Sequence, residues 1–413
     1  MTGTPARICF FVGKGGVGKS TLAAATAVQA GLNGEGVLVV STDQAHSLGD
    51  VLGAQVDPGS GAEPVRVLAE EHGGHLDAIA LDTLGLLESA WRAVAPVIAA
   101  RFPASDLDGF AAEELSAIPG IQEVLGLRAV ADLAASGRWD VVVVDCASTA
   151  DALRMLTLPA AFAVYVERSW PRHRRLSAGS DDPRSAAMVA LVEAVHSSVS
   201  GLAELLTDGT RVGAHLVLTP ERVVAAESAR ALTSLAVMGV QVDEVIVNQV
   251  LFQDDSYEYR NLPEHPAFDW YSARIAEQQA VLDGLGASVG ELRLVLIPHL
   301  PGEPIGPKAL AALLDEARRR DGSEPPAPLR PVVDRESGSG VEAVYRLRLT
   351  LPPVDARTLS LGRAADDLIV SVGSLRRRVR LAPVLRRCTV TGASLRDAEL
   401  TVRFRPDPQV WPA

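Results

Sequence analysis

The 413-residue sequence predicts an α/β fold, with a mostly parallel sheet covered by helices on both faces and a small all-β sandwich near the C-terminal end. Three features support this prediction. A glycine-rich phosphate-loop pattern lies near the N-terminus, short apolar runs alternate with helical stretches, and the apolar periodicity becomes two beyond residue 340. Alternating strands and helices are typical of βαβ units with right-handed crossovers.

The phosphate-loop pattern is complete. Residues 13–21 read Gly-Lys-Gly-Gly-Val-Gly-Lys-Ser-Thr and satisfy G-x-x-x-x-G-K-[ST], between an apolar run at 8–12 and an alanine-rich stretch at 22–30. Glycines allow backbone N–H groups to surround phosphates, and the following helix adds its dipole. We therefore predict a nucleoside triphosphate site, with the Lys19 ammonium on the β- and γ-phosphates and the Ser20 hydroxyl on Mg²⁺. Its binding residues are Gly13, Lys14, Gly15, Gly16, Val17, Gly18, Lys19, Ser20 and Thr21.

Short β-branched runs that are apolar on both faces predict the strands of a covered parallel sheet. They are residues 8–12, 37–41, 141–144, 215–218, 245–247 and 292–297. Residues 162–166 fit a strand or a helix equally well by propensity.

Two acidic residues follow predicted strands. Asp43 comes after the second run and Asp145 directly follows the third. The carboxyl ends of strands form the ligand crevice of open α/β sheets. We predict that Asp43 orients or deprotonates the attacking water, or holds Mg²⁺ through a water, and that Asp145 belongs to the Mg²⁺ shell.

Composition excludes several classes of function. A net charge of −12 argues against a nucleic-acid surface, which is normally basic. Three scattered cysteines do not form a disulfide framework, so a reducing compartment is expected. No apolar run approaches the ~20 residues that span a bilayer, and the first predicted strand leaves no room for a secretory signal. These features predict a cytoplasmic protein without an integral membrane segment.

The chain is long enough for more than one domain. A nucleotide domain is predicted over 1–320, with helical insertions at about 81–135 and 157–207. A Pro-, Gly- and Ser-rich stretch at 321–340 predicts a linker, and alternating apolar and polar residues over 341–406 predict antiparallel strands. A unit of about 65 residues is marginal alone, so it is expected to pack on the nucleotide domain or on a partner.

Several segments together resemble the ArsA/GET ATPase family, over about residues 6–315. GKGGVGKST is similar to its "deviant" Walker A loop, STDQAHSLGD to its first switch, and DCASTADALRML to its second switch. The resemblance implies that Asp43 is catalytic and that Lys14 acts across a homodimer interface on the partner's nucleotide. Ala150 and Asp151 depart from the family's usual Gly-His.

The resemblance also extends to the side that binds adenosine. Thr-Pro-Glu ending at Glu221, the Asn-Gln pair beginning at Asn248, and the loop containing Pro298 match the family's elements there. An asparagine amide can donate to and accept from an adenine edge, which favours ATP. Some members hold zinc through Cys-x-x-Cys after the Asn-Gln pair; residues 250–271 contain no cysteine, so no zinc site is expected.

The implied function is that of a Mg-ATPase whose homodimer opens and closes around a hydrophobic protein client or drives membrane-protein targeting. Two alternatives remain open: energising a membrane anion efflux channel of the arsenite type, and positioning cargo as partition ATPases do. Residues 341–406 resemble a small heat-shock (α-crystallin-like) sandwich, either a chaperone module or an appendage that stabilises a dimer.

Overall fold

The computed structural model describes residues 4–43, 47–56, 63–71, 73–101, 120–178, 183–252, 265–289, 292–320, 331–351, 356–364, 366–373, 375–396 and 399–411. Strands and helices alternate along most of the chain, and strands dominate its end. The strands are β1 (Arg7–Gly13), β2 (Gly36–Ser41), β3 (Val65–Glu71), β4 (Gly74–Ala80), β5 (Val141–Asp145), β6 (Val212–Leu218), β7 (Val242–Val250), β8 (Arg293–Pro298), β9 (Arg318–Arg320), β10 (Val332–Ser337), β11 (Val344–Thr350), β12 (Leu359–Ala364), β13 (Asp367–Val372), β14 (Leu375–Arg380), β15 (Cys388–Arg396) and β16 (Glu399–Pro406). The helices are α1 (Lys19–Leu32), α2 (Ser47–Leu52), α3 (Thr83–Arg101), α4 (Ile121–Ala135), α5 (Thr149–Ser169), α6 (Arg172–Ala178), α7 (Pro183–Leu206), α8 (Arg222–Met238), α9 (Pro266–Val289), α10 (Pro307–Asp315) and α11 (Pro383–Arg386).

The chain divides into two compact units, residues 1–213 with 300–317 and residues 214–299 with 318–413. In the first unit the strand order is β3-β4-β2-β5-β1, and every neighbouring pair is parallel except β3 with β4. Strands β1, β2 and β5 are almost entirely buried, which explains their continuous apolar runs. The strands predicted at 8–12, 37–41 and 141–144 are confirmed.

Helix α1 follows β1 and packs on the sheet through its alanine-rich face, as predicted for residues 22–30. Small residues allow a close approach here. A Cβ atom placed on Gly74 would overlap the backbone of Gly31 and Gly34, so β4 passes the end of α1 only because residue 74 has no side chain. The helix therefore packs closely against β4, and it also contacts β1, β2 and β5.

Residues 162–166 lie inside α5 and are helical. The helix begins with a capping arrangement, in which the Ser148 hydroxyl accepts a hydrogen bond from the Asp151 backbone N–H at 3.2 Å. The local propensity of residues 162–166 favours neither a strand nor a helix. They are helical because they belong to the long, capped helix Thr149–Ser169.

In the second unit β6, β7 and β8 are parallel neighbours, and β9 is antiparallel to β8. The predicted strands at 215–218, 245–247 and 292–297 are confirmed. The end of the chain forms two antiparallel sheets, β10-β11-β16-β15 and β12-β13-β14. Both sheets contribute to one apolar core, which confirms the predicted all-β sandwich. Fully or almost fully buried members of that core are Leu347, Leu349, Leu368, Val370, Val402 and Phe404.

Strand β10 lies within the segment predicted as a linker, so that prediction is wrong for 332–337. The strand pairs with β11, and its Asp334 carboxylate contacts Arg346 at 2.8 Å and Arg348 at 3.1 Å. Backbone pairing with β11, cross-strand ion pairs and the packing of Val333 on the sandwich core hold β10, and the Pro-, Gly- and Ser-rich composition around the strand does not reveal these contacts. The division into 1–320 and 341–406 stays a prediction.

Within the second unit the C-terminal sandwich packs against α8 through β13 and β14. Arg377 of β14 donates a hydrogen bond to the Ala236 carbonyl, 3.3 Å away in the last turn of α8. Burial lowers the pKa of Arg377 to about 10. A cation at this position complements the carbonyl end of the helix dipole.

One helix contains a long apolar stretch, which the sequence analysis did not expect. Among the described residues, 186–206 of α7 are long and apolar enough to cross a membrane by length and composition, and 17% of the most apolar window is buried. The stretch consists largely of Ala, Val, Leu and Ser, with Glu193 and Glu204 as its acidic residues. Such a composition also occurs in helices that cover soluble domains.

Candidate functional site

The phosphate loop connects β1 to α1, as the sequence predicts. Gly16 and Gly18 have φ values of 82° and 91°, a left-handed conformation that side chains other than glycine rarely adopt. Gly18 is also the N-cap of α1, and no side chain caps this helix end. The N–H groups of its first turn therefore remain available to an anion.

Two lysines meet at this loop. The Lys19 side chain is buried, and its ammonium donates a hydrogen bond to the Lys14 carbonyl oxygen at 3.0 Å. Burial lowers the pKa of Lys19, and the charge of Asp145 opposes that effect. Lys14 itself is exposed. The two lysines of the motif thus occupy different environments, one facing the buried carboxylate and one facing outward.

Asp145 ends β5 and is completely buried. Neither carboxylate oxygen has a hydrogen-bond partner among the residues that the structure describes. Burial raises the pKa of Asp145 to about 6, against the opposing effects of the Ser20 hydroxyl and the Lys19 ammonium. An unpaired buried carboxylate is costly without a cation. Together with Ser20 and Asp43 it offers the hard oxygen ligands that suit Mg²⁺.

The end of β2 is tied to the end of β5. The Thr42 backbone N–H donates to the Asp145 carbonyl oxygen at 3.0 Å, and the Thr42 hydroxyl donates to the same oxygen at 3.2 Å. The next residue, Asp43, is half-buried and donates its backbone N–H to the Ser41 hydroxyl at 3.2 Å. The two predicted carboxylates therefore follow neighbouring strands that are linked directly by hydrogen bonds.

The sequence reasoning missed one contact residue. The hydroxyl oxygens of Ser20 and Ser47 lie 3.0 Å apart, which joins the first turn of α1 to the first turn of α2. Ser47 belongs to the switch-like segment STDQAHSLGD, and that membership was the available signal. Gln44 of the same segment lies outside the described residues.

Asp151, in the segment that resembles the second switch, is bound by neighbouring polar and charged side chains. The Ser148 hydroxyl donates to the Asp151 carboxylate at 2.6 Å, and Arg154 pairs with Asp151 and with Glu123, the latter at 3.3 Å. Asp151 is therefore part of the helix cap and of an ion-pair cluster. In this structure it does not substitute chemically for an imidazole.

The residues predicted to face adenosine belong to the second unit. Asn248 is buried, and its Oδ1 accepts a hydrogen bond from the Gln249 backbone N–H at 2.9 Å. Pro298 ends the neighbouring strand and is half-buried. Glu221 precedes α8 and is exposed, and its carboxylate accepts from Arg274 at 3.1 Å. Asn248 and Pro298 thus lie on adjacent strand ends, while the Glu221 carboxylate already has a cationic partner.

A phosphate loop with two strand-end carboxylates beside its lysine and serine defines an ATPase of the P-loop class. The family model described as "Anion-transporting ATPase" matches residues 6–316, and a model described as "HSP20-like domain found in ArsA" matches residues 342–404. The chain belongs to the ArsA family of ATPases. This confirms the resemblance, the fold class and the ATPase assignment.

Relatives of this chain cover either almost all of it or about three quarters of it. Protein Rv2184c of Mycobacterium tuberculosis is 67% identical over 100% of this chain and 99% of its own. A protein of Prosthecochloris vibrioformis, provisionally named an arsenical pump-driving ATPase, is 28% identical over 98% of this chain and 97% of its own. ATPase GET3 of Malassezia globosa is 25% identical over 74% of this chain and 88% of its own.

Proposed function

We propose that this ATPase is Mg²⁺-dependent, acts in the cytoplasm as a homodimer, and binds and releases a hydrophobic protein segment in step with ATP hydrolysis. One observation carries the client assignment: the helices α5, α6 and α7 expose large apolar side chains. Phe162 is 42% exposed, Tyr165 66% and Leu176 56%. We call these three side chains and the apolar stretch 186–206 the apolar helical surface.

The helices of this surface pack against one another, which makes a shared binding face possible. Residues 162 and 165 are three apart and therefore lie on the same side of α5. Large contiguous exposed apolar patches mark interaction sites on protein surfaces. A client helix would remove them from water, at roughly 25 cal/mol for each Å² of apolar area buried.

The phosphate chemistry is assigned to the first unit. Lys19 and the N–H groups of the loop bind the β- and γ-phosphates, and Ser20, Asp43 and Asp145 hold the metal. When bound, Mg²⁺ neutralises charge on the transferred phosphoryl group. Asp43 accepts the proton of the attacking water or orients it, because its half-buried carboxylate follows the strand next to that of Asp145.

The homodimer is proposed from Lys14. This lysine is exposed although it lies inside the phosphate loop, which suits a role on the partner's nucleotide. A cation supplied across an interface to a phosphoryl transition state is worth about 10³–10⁵ in rate in other P-loop systems. On the adenosine side we propose Asn248, Pro298 and Glu221, with Glu221 exchanging Arg274 for ribose hydroxyls. No zinc site is included in this proposal.

The client assignment is tested with the purified full chain and a fluorescent 20-residue apolar helical peptide. We expect binding with Mg-ATP and release after hydrolysis. Phe162→Glu combined with Tyr165→Glu should weaken peptide binding at least about tenfold, since two charges would be desolvated. Val223→Glu is the matched control, because Val223 is 70% exposed on α8 outside that surface. Equal affinity of the double variant and wild type would refute the client surface.

An anion-efflux role has one observation in its favour, the description of the matching family as anion-transporting. The three cysteines, Cys9, Cys146 and Cys388, are all buried, and thiol capture of arsenite would need them clustered and accessible. The same preparation decides between the roles. Stimulation of turnover by arsenite, with none by the apolar peptide, would replace the client proposal. A partition-like role gains no support from the net charge of −12.

A further inference from the structure

Strand β7 carries an irregularity at the residues assigned to the base. Val247 pairs with Leu296 of β8, but Val250 pairs with Pro298, so two residues of β7 stand opposite the single Ile297. Such bulges re-aim side chains and often lie next to functional sites. The two residues opposite Ile297 are Asn248 and Gln249, and the bulge therefore determines where the Asn248 amide points.

The bulge contains an unfavourable backbone conformation. Gln249 has a φ of 60°, and it is the non-glycine residue with a positive φ among those that the structure describes. Side chains other than glycine enter this region only when their surroundings hold them there. Something outside the strand must therefore stabilise the conformation of Gln249.

Gln278 of α9 supplies that support. Its side chain is 4% exposed, its Nε2 donates to the Gln249 carbonyl at 3.2 Å, and its Oε1 accepts from the Leu251 N–H at 2.8 Å. One primary amide thus satisfies an acceptor and a donor two residues apart, as a neighbouring strand would. Gln278 bridges the residues on either side of Val250 and closes the bulge.

The conformation of Gln249 is transmitted to Asn248 by a hydrogen bond. The Gln249 N–H donates to Asn248 Oδ1 at 2.9 Å, so the orientation of the Asn248 amide depends on the Gln249 backbone. A fixed amide orientation determines whether a donor or an acceptor is presented to a ligand. Adenine and guanine differ in donors and acceptors at the same edge.

We infer that Gln278 is a positioning residue that sets the preference of this ATPase for adenine over guanine by holding the Asn248 amide in one orientation. This inference rests on the proposed role of Asn248 toward the base. Gln278 acts through two backbone contacts and does not itself touch the nucleotide.

The test compares three single variants of the full chain and one double variant, Asn248→Ala with Gln278→Met. Gln278→Met keeps the size of the side chain and removes both hydrogen bonds. Gln279→Met is the matched control, because Gln279 is the exposed neighbour on α9 and, in the described part of the chain, its side chain donates to Asp283 in the same helix, at 2.7 Å. Asn248→Ala removes the amide that is positioned. Affinities are measured for Mg-ATP, Mg-GTP and Mg-tripolyphosphate, which has no base.

We expect Gln278→Met to weaken ATP binding about tenfold and to reduce the ATP-to-GTP preference by a similar factor, with tripolyphosphate binding unchanged. In Asn248→Ala, adding Gln278→Met should cause no further loss, since the two residues act as one unit. Gln279→Met should behave as wild type. Hydrogen exchange of the Leu251 amide should accelerate in the variants that carry Gln278→Met and stay unchanged in the others.

Three results would overturn the inference about Gln278 and leave the proposed base contact of Asn248 intact. The first is additive losses of affinity in the double variant. The second is a parallel loss of tripolyphosphate binding, which would show a merely structural role. An unchanged ATP-to-GTP preference in Gln278→Met, with a reduced one in Asn248→Ala, would also reject it. If Asn248→Ala leaves that preference unchanged, the proposed base contact fails first, and the inference about Gln278 fails with it.

Discussion

The ammonium of Lys19 donates a hydrogen bond to the backbone carbonyl of Lys14, at 3.0 Å. The two lysines of the phosphate loop are thus connected, although only one of them is buried. A nucleotide that draws Lys19 onto its phosphates must break this bond. Loss of the bond frees the carbonyl of the residue that we propose to reach the partner subunit.

Asp43→Asn should retain Mg-ATP affinity and lose at least about 100-fold in turnover, because the amide cannot accept the proton of the attacking water. Steady-state phosphate release and nucleotide binding measure the two properties separately. Asp50→Asn, an exposed change on α2, is the control and should leave turnover intact. Turnover at the wild-type rate in Asp43→Asn would reject the assignment.

Lys14→Ala should reduce turnover while leaving ATP affinity within about threefold, since Lys14 contributes to the transition state of the partner's site. Lys308→Ala, an exposed lysine of α10, serves as the control. The decisive measurement mixes two inactive chains. In a dimer of Lys14→Ala with Asp43→Asn, one site retains its own Asp43 and receives an intact Lys14 from the other chain. Turnover should return when the chains are mixed, and its absence would place Lys14 in cis.

Asp145→Asn should abolish Mg²⁺-supported turnover and change how stability depends on pH. The folded-state pKa of about 6 exceeds the ordinary value of 3.8, so the folded chain holds a proton that the unfolded chain releases between these limits. Stability without ligand therefore falls as pH rises from about 4 to 6, by about 3 kcal/mol from this group.

Urea unfolding of the nucleotide-free chain between pH 4 and 8 measures this effect. Asp145→Asn should lose this contribution and be more stable than wild type at pH 7. Asp140→Asn, just before the same strand, should retain the slope. A wild-type pH profile in Asp145→Asn would contradict the burial argument.

Arg175→Met should destabilise the helices of the apolar helical surface by about 2 kcal/mol. The Arg175 side chain is fully buried, and it contacts Glu193 of α7 at 2.6 Å and Glu167 of α5 at 3.2 Å. The substitution leaves both acids without their shared cation. Hydrogen exchange of α5–α7 measures the effect, and Arg174→Met, an exposed neighbour, is the control. Unchanged protection in Arg175→Met would show that packing alone holds these helices.

Much of the fold could be predicted from local pattern. Six apolar runs become strands because a parallel sheet buries both faces, and that burial is visible in composition. The charged strand β10 was missed because its backbone pairing with β11 and its ion pairs with β11 and β16 involve other strands, and local composition does not reveal them. Residues 162–166 were undecided for a related reason, since a cap fourteen residues earlier commits them to a helix.

The candidate site also contains residues that local sequence patterns predict and contacts that they do not. Lys19, Ser20, Asp43 and Asp145 lie in motifs whose spacing reflects the expected chemistry, so the sequence alone was enough to propose them. Contacts between residues far apart in the chain have no such signature. The approach of Ser47 to Ser20 depends on where α2 returns to α1, over a separation of 27 residues.

The hydrogen bond from Arg377 to the last turn of α8 connects the C-terminal sandwich to a helix of the ATPase. Helix α8 begins immediately after Glu221 and ends where the arginine binds the Ala236 carbonyl. A chain shortened to residue 320 would remove the arginine from that carbonyl, which keeps the Gly239 N–H at 3.0 Å, and would expose the faces of α8 that β13 and β14 cover. The C-terminal sandwich is therefore part of the packing of the second unit. Activity measured without it would come from a protein in which these faces of α8 are exposed to water.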